Sequence, residues 1–307
     1  MSTPERTDTR RPLQLLLGIL LFPLSQLLAM GGGLVLAIIS GDDLAAGVPS
    51  WAQLVGACLG AAAALGGLLL IVGPVGRSPG LTLRGRGAVR ELLLGCVLGT
   101  ALIALSTGLI TVLGGYRFTG IESAPDLLTP LAIGIVAAFT EEVFFRGVLL
   151  RVLDVWLGSW ASLAVSSLLF GLVHLTNPGA TLLTALGLVI EAGVLLGAAY
   201  LLTRRLWLAI GIHFAWNAVQ AGVFSSEVSG TGEQVGLLRL EAHGPDWLTG
   251  GTMGVEGSVV TVVVGLAAGV VMLVLAHRRG HLLPRLRLEA PAYPESDRSV
   301  PAVRSPR

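Results

Sequence analysis

The stretch 131-LAIGIVAAFTEEVFFRGVLL-150 decides how the chain is to be read. Apolar residues flank Glu141, Glu142 and Arg146 on both sides. A run of about 20 such residues is long enough to cross the roughly 30 Å hydrocarbon core of a bilayer as a helix. The three charges then sit where charge is expensive, at about 2.5–3.5 kcal/mol for an Asp, Lys or Arg at mid-bilayer. A chain that keeps them there is expected to use them and to turn them toward one another rather than toward lipid.

The rest of the chain has the same character. Of 307 residues, 53% are hydrophobic and 13% charged, against roughly 25% charged in soluble domains. Long apolar runs recur along the length, and the alternating pattern of a transmembrane barrel is absent. The expected fold is therefore all-α and polytopic, because only helices satisfy the backbone in lipid for runs of this kind. Eight spans are predicted, near 13–39, 52–74, 91–113, 127–150, 159–175, 180–202, 206–224 and 257–276. The first is too long for the hydrophobic region of a signal peptide and reads as a membrane helix. The predicted organisation is a tail over 1–12, N-terminal helices within 13–125, a core over 126–224, an external polar loop over 225–256, a last helix over 257–276, and a basic tail over 277–307 that reads as disordered.

All 20 basic residues are arginine, which reads as coding composition. Their placement carries information. Arg6, Arg10, Arg11, Arg77, Arg84, Arg86, Arg90, Arg204, Arg205, Arg278 and Arg279 fall on one set of loops and tails, together with Arg151, placed in the loop after span four. The opposite loops hold only Arg117 and Arg239, among many acids. The positive-inside rule puts both termini in the cytoplasm, with the plasma membrane as the expected location. The net charge of +1 gives no reason to expect a nucleic-acid partner. Cys58 and Cys96 lie in apolar runs, so a disulfide framework is not expected. The pairs Gly56/Gly60 and Gly193/Gly197 predict close helix packing.

Most of the spans are free of ionisable groups, and the exceptions fall in spans four to seven: Glu141, Glu142 and Arg146; His174; Glu191; and His213 with Asn217. Glu142 and Arg146 are i and i+4, acid first, the favourable order for a pair on one helix face. Glu141 lies about 100° round the helix and points elsewhere. One carboxylate thus reads as structural and the other as free for general-base work. Phe170 and His174 are i and i+4 on span five, and His213 and Asn217 are i and i+4 on span seven. Alone, a buried His or Asn is more often packing or interhelical glue. With Glu141 they form a set that can activate water and stabilise an oxyanion, or hold a metal through Glu and His. Glu191 stands outside this pattern, read either as a residue of the cavity or as a satisfied polar contact. His-Glu-x-x-His and Gly-x-Ser-x-Gly are absent, and there is no intramembrane aspartate pair, since Asp42 and Asp43 lie at a span end.

Glu141-Glu142-x-x-x-Arg146, Phe170-x-x-x-His174 and His213-x-x-x-Asn217, in this order on three apolar spans, resemble the motifs of the CPBP family. That family comprises the CAAX proteases and bacteriocin-processing (Abi) proteins, related to the Ras-converting endopeptidase. The resemblance covers about 130–220. It implies an intramembrane endopeptidase acting on a membrane-associated or lipidated protein or peptide. It implies that Glu141, with His174, activates water, that His213 and Asn217 bind the oxyanion, and that Glu142, Arg146 and Phe170 support them. Family members have also been described as metalloproteases, and in that case Glu141, His174 and His213 would be the zinc ligands. Asn217 is a poor zinc ligand and a good neutral donor, so a mechanism without a cofactor is favoured, with zinc as the alternative. The rival class is a non-catalytic membrane protein, either an immunity or scaffold factor or a proton-coupled transporter. A proton relay needs buried Glu and His but has no specific need for Asn217, and the paired repeats of a transporter are not seen.

One expectation strains the geometry. Counted from Ser159, His174 lies about 22 Å up its helix, whereas His213 lies only about 10 Å up from Leu206. For both to reach Glu141, helices must tilt or span five must begin deeper.

Overall fold

The computed structural model describes residues 10–76, 83 and 87–284. Eight long helices carry the fold: α1 (Arg11–Ser40), α2 (Ser50–Val75), α3 (Ala88–Val112), α4 (Leu128–Leu157), α5 (Ser159–Thr176), α6 (Leu182–Thr203), α7 (Trp207–Gly222) and α8 (Val259–Arg278). All except α7 are both long and apolar enough to cross a membrane. The protein is an all-α, multi-pass membrane protein. The predicted spans agree with these helices to within a few residues, with one exception. Span four continues unbroken to Leu157. Arg151 therefore lies inside a helix and not in a loop, where its Nε donates to the Gly147 carbonyl and its Nη2 to Gln14. The predicted N-terminal tail before Arg10, Arg77, Arg84 and Arg86 of the second loop, and the basic tail beyond Pro284 lie outside the described residues.

Local chemistry sets several helix ends. Gly41, at φ 75°, ends α1 with its N–H on the Ala37 and Ile38 carbonyls; glycine takes this left-handed conformation without a Cβ penalty. A reciprocal Thr181–Thr184 capping box opens α6. Ser258 caps α8, accepting from the Val260 N–H.

Helix α7, 16 residues long and thus about 24 Å, is the centre of the bundle. It packs against α3 on one side and α4 on the other. A Cβ on Gly99 would fall 2.3 Å from the Ile212 carbonyl oxygen, and one on Gly211 2.3 Å from that of Leu92. Only backbone fits at this crossing, and the crossing fixes the turn that carries His213. Gly56 meets the Ala29 carbonyl at 2.2 Å and Gly193 meets Ser167 at 2.8 Å on the same test, the close approaches expected of these positions.

The depth conflict resolves without moving span five, which begins at Ser159 as drawn. It is α7 that starts high. Leu206, just before it, packs 3.3 Å from the place of a Gly147 Cβ, part-way along α4. Trp207 donates its indole N–H to the Leu83 carbonyl at 2.9 Å, which anchors the start of α7 at this height. Six residues above Trp207, His213 then stands level with Glu141.

On the α4 N-terminal side of the bundle, two short strands pair antiparallel: β1 (Tyr116–Ile121) and β2 (Leu238–Ala242). The 225–256 segment, which its sequence marked only as a polar loop, thus contains β2 and a short helix, Asp246–Thr249. Glu122 pairs with Arg239 beside the sheet, and the guanidinium holds its carboxyl below the usual range.

Candidate active site

Three helices deliver the polar groups to one place. In α4, Glu141 and Glu142 close an α-helical stretch and a π-helical stretch, Val143–Leu150, begins. A π-turn is a costly local widening that is common at functional sites. A second π-helical stretch, Val189–Gly193, lies opposite in α6. Between them Arg146 is wholly buried. It donates to Glu142 Oε1 at 2.8 Å and to the Ala192 and Gly193 carbonyls at 3.3 and 3.2 Å. The Phe170 ring covers its guanidinium at 4.6 Å, a cation–π contact in a desolvated setting.

The two histidines are each held by Nδ1. His174, where α5 tightens at its end, hydrogen-bonds through Nδ1 to the Phe170 carbonyl at 2.7 Å. That bond places a proton on Nδ1 and leaves Nε2 as an acceptor in the neutral ring. His213 Nδ1 lies 2.9 Å from Glu142 Oε1, the same oxygen that Arg146 uses. Both Nε2 atoms then point at Glu141, at 3.9 Å from His174 and 4.0 Å from His213, each measured to Oε2. That oxygen is buried and has no hydrogen-bond partner among the described residues.

Glu142 thus does more than the pairing with Arg146 that its spacing suggested, since it also orients an imidazole. Phe170 packs edge-on to Phe145, with ring centroids 5.1 Å apart, and lies 4.9 and 6.1 Å from the His174 and His213 rings. Asn217, one turn beyond His213, is buried and lines the same cavity.

The cavity is small, with room for about one water, and its wall includes His174, His213, Asn217, Ser229 and Glu256. In the sequence Glu256 is only one of the many acids on the loops opposite the arginines. It is 3% exposed, and its Oε2 accepts from the Ser229 N–H at 2.7 Å and hydroxyl at 2.8 Å. Burial pushes its carboxyl upward, offset in part by the Ser229 bonds and by the nearby imidazoles of His174 and His213. The segment carrying Ser229 is stapled to the turn after His174: Asn177 donates to the Ser229 carbonyl and the Gly179 N–H to the Gly230 carbonyl. No periodicity in the sequence marks this closure, because it joins two irregular segments. Glu191 is 1% exposed, and neither of its oxygens has a hydrogen-bond partner among the described residues. It is not the satisfied contact that was one of its two expected readings.

A zinc site can be tested against this geometry. With bonds of about 2.0–2.1 Å, tetrahedral ligand atoms lie about 3.4 Å apart. The Glu141 oxygen is 3.9 and 4.0 Å from the two imidazole nitrogens. Among the described residues no group of three or more His, Cys, Asp or Glu side chains is arranged to hold a metal ion. The residues as placed do not fit a zinc ion.

No curated protein and no solved structure matches the chain. Residues 123–219 match the family model described as type II CAAX prenyl endopeptidase Rce1-like. The matched segment contains Glu141, Glu142, Arg146, Phe170, His174, His213 and Asn217, and it ends before Ser229 and Glu256. The match supports a place for this chain in the CPBP/CAAX intramembrane protease family.

Proposed function

We propose that the chain is an intramembrane endopeptidase that hydrolyses a peptide bond in a membrane-associated or lipidated protein, with Glu141 and His174 activating the attacking water. The observation that carries this reading is the convergence of two fixed imidazoles on one carboxylate oxygen, at 3.9 and 4.0 Å. These separations are too long for direct hydrogen bonds. They suit a shared water: an oxygen about 2.8 Å from each of two groups, subtending about 90°, leaves them about 4 Å apart.

The chemistry follows from the groups present. Glu141, as carboxylate, takes a proton from the water while the water oxygen bonds to the scissile carbonyl carbon. His174 Nε2 accepts the second water hydrogen and holds the nucleophile in place. The developing oxyanion is met by the Asn217 amide and, in the doubly protonated ring, by His213 Nε2–H. Glu142 steadies that ring through Nδ1. The C–N bond then breaks, and the acquired proton passes from Glu141 to the leaving amine. Donors aimed at a developing oxyanion in a water-poor site are commonly the largest single contribution to such catalysis.

The same reading places the chain in the plasma membrane with both termini cytoplasmic, on the arginine asymmetry. Reporter fusions after Arg90, Arg205 and Arg279 should then read cytoplasmic, and fusions within 41–50 and 230–250 external. An external reading after Arg279 would overturn the topology.

The decisive experiment compares membrane proteomes of cells carrying the wild-type chain and Glu141→Gln. A peptide whose processing disappears in the variant identifies the substrate, and identical proteomes count against the reading. Purified, active protein is also to be assayed for metal and for activity after exhaustive chelation. We expect activity to survive. Stoichiometric zinc, with activity lost on its removal and restored on its return, would replace the direct mechanism by one with His174 and His213 as ligands.

A further inference from the structure

The cavity that holds His174, His213 and Asn217 has one wall that the proposed chemistry does not use. That wall is Glu256 with Ser229. Two hydrogen bonds from Ser229 fix one carboxylate oxygen of Glu256, at 2.7 and 2.8 Å. The other, Oε1, has no hydrogen-bond partner among the described residues and belongs to a side chain that lines the cavity. A buried carboxylate held rigidly on one side, with a bare acceptor on the other, is a recognition element in want of a donor.

The surrounding charge says what kind of donor. Glu141, Glu142 and Glu191 lie on the helices around the cavity, and Glu256 is in its wall. Arg146 is the cation among them. It is engaged by Glu142 and two carbonyls and capped by Phe170, and no arginine lines the cavity. An anionic group brought up to Glu256 meets a like charge, while the positive charge that His213 can carry is paired with Glu142 and taken up by the oxyanion, so such a group is disfavoured. A cationic group finds a preorganised partner. The cavity has room for about one water, which is about the size of a lysine ammonium, so a side chain whose head reaches Glu256 belongs to a residue next to the bond held at His213 and Asn217.

We propose that Glu256, held by Ser229, is a specificity-determining residue that selects substrates with a lysine or arginine beside the scissile bond. The proposal rests on the peptidase reading above and names a substrate class for it. Ser229 and Glu256 come from the segment that follows the matched family region, so the preference would be a property of this chain's outer segment and separate from the catalytic set.

The test uses fluorescein-labelled, acyl-anchored peptides in mixed micelles, identical except for Lys or Glu at each position of an apolar core. Cleavage by the wild type, Glu256→Gln and Ser229→Ala is read by mass spectrometry. Binding is read by fluorescence anisotropy on a Glu141→Gln background, with and without Glu256→Gln. At one position adjacent to the cut, the wild type should favour Lys over Glu by about tenfold or more in kcat/KM. Glu256→Gln should bring the ratio to within about twofold, and Ser229→Ala, which frees the carboxylate on one side, should give an intermediate ratio. Equal handling of Lys and Glu peptides by the wild type, or a preference that survives Glu256→Gln, overturns the proposal and leaves the peptidase reading standing. If no peptide is cut, the peptidase reading is what fails. The anisotropy then decides Glu256 independently: a Lys preference that the Gln variant loses supports it, and no preference overturns it. If Glu256→Gln fails to fold, as judged by gel filtration and its thermal transition, Ser229→Ala decides by the same ratio.

Discussion

The Asp154–Arg204 and Glu142–Arg146 pairs of this bundle are finished differently. Near the C-terminal end of α4, Asp154 uses both oxygens: one accepts from the Ser159 hydroxyl at 2.5 Å, and the other pairs with Arg204. Arg204 also donates to the His281 carbonyl, and Ser159 and Leu283 exchange two further bonds. This cluster ties the ends of α5, α6 and α8 together and leaves no donor or acceptor of Asp154 open. About half-way along α4, Glu142 and Arg146 pair as closely, at 2.8 Å. There, however, Glu141 Oε2, Glu142 Oε2 and Arg146 Nε are all buried with no hydrogen-bond partner among the described residues. A saturated polar network in a low dielectric holds structure together, and an unsaturated one costs stability that only a ligand or a reaction recovers. The difference separates a structural cluster from a chemical one, although both are an acid beside an arginine.

The sharpest way to break this contrast is to neutralise one acid in each cluster. Glu141→Gln should lower kcat by about 10²–10⁴, the usual share of a general base, with thermal unfolding in detergent close to wild type. Asp154→Ala should do the reverse. Breaking a buried pair costs about 3–5 kcal/mol, toward the lower end here because the Arg204 side chain is 27% exposed. Its activity per folded molecule should be unchanged. If Asp154→Ala silences the folded enzyme, or if Glu141→Gln unfolds it, the division between the clusters is wrong.

Glu142 sharpens the comparison because it belongs to both kinds. It neutralises Arg146, as Asp154 does Arg204, and it also orients His213. Glu142→Gln should therefore lose stability on the scale of about 3–5 kcal/mol for a broken buried pair and lose activity as well. A stability loss with full activity in the folded fraction would return Glu142 to the purely structural role that its spacing first suggested. Asn217→Ala should come next, with kcat down by about 10²–10³ at nearly constant KM, as for loss of one oxyanion donor. A change in KM alone would make Asn217 a binding residue and not part of the oxyanion site.

Much of this was legible in the chain itself, for identifiable reasons. The helices follow from uninterrupted apolar runs, which lipid permits in only one regular form. The Glu142–Arg146 pair follows from i,i+4 spacing. The convergence of the spans was harder to see. Hydropathy located α7 but gave no sign that it begins level with Gly147, since that height is set by a glycine crossing with α3 and by the Trp207–Leu83 bond. The π-helical stretches left no mark in composition. Glu256 reached the cavity through irregular backbone, 43 residues after His213, where periodicity has nothing to report.

Phe170 offers the smallest effect and the finest distinction. Its ring touches Phe145, both histidines and the Arg146 guanidinium, so it could be taken for part of the chemistry. Yet the bond that orients His174 is made to the backbone carbonyl of Phe170, not to its ring. Phe170→Leu keeps that carbonyl and most of the apolar volume. It removes an aromatic pair worth about 0.5–1.5 kcal/mol and a desolvated cation–π contact worth about 2 kcal/mol. The expected outcome is a stability loss of about 2.5–3.5 kcal/mol by these two contributions, with kcat reduced less than tenfold. The unfolding transition in detergent and single-turnover cleavage measure the two separately. A loss of kcat as large as that of Asn217→Ala, without a matching loss of stability, would mean that the ring itself sets the imidazole geometry, and Phe170 would move from the structural side of the comparison to the chemical one.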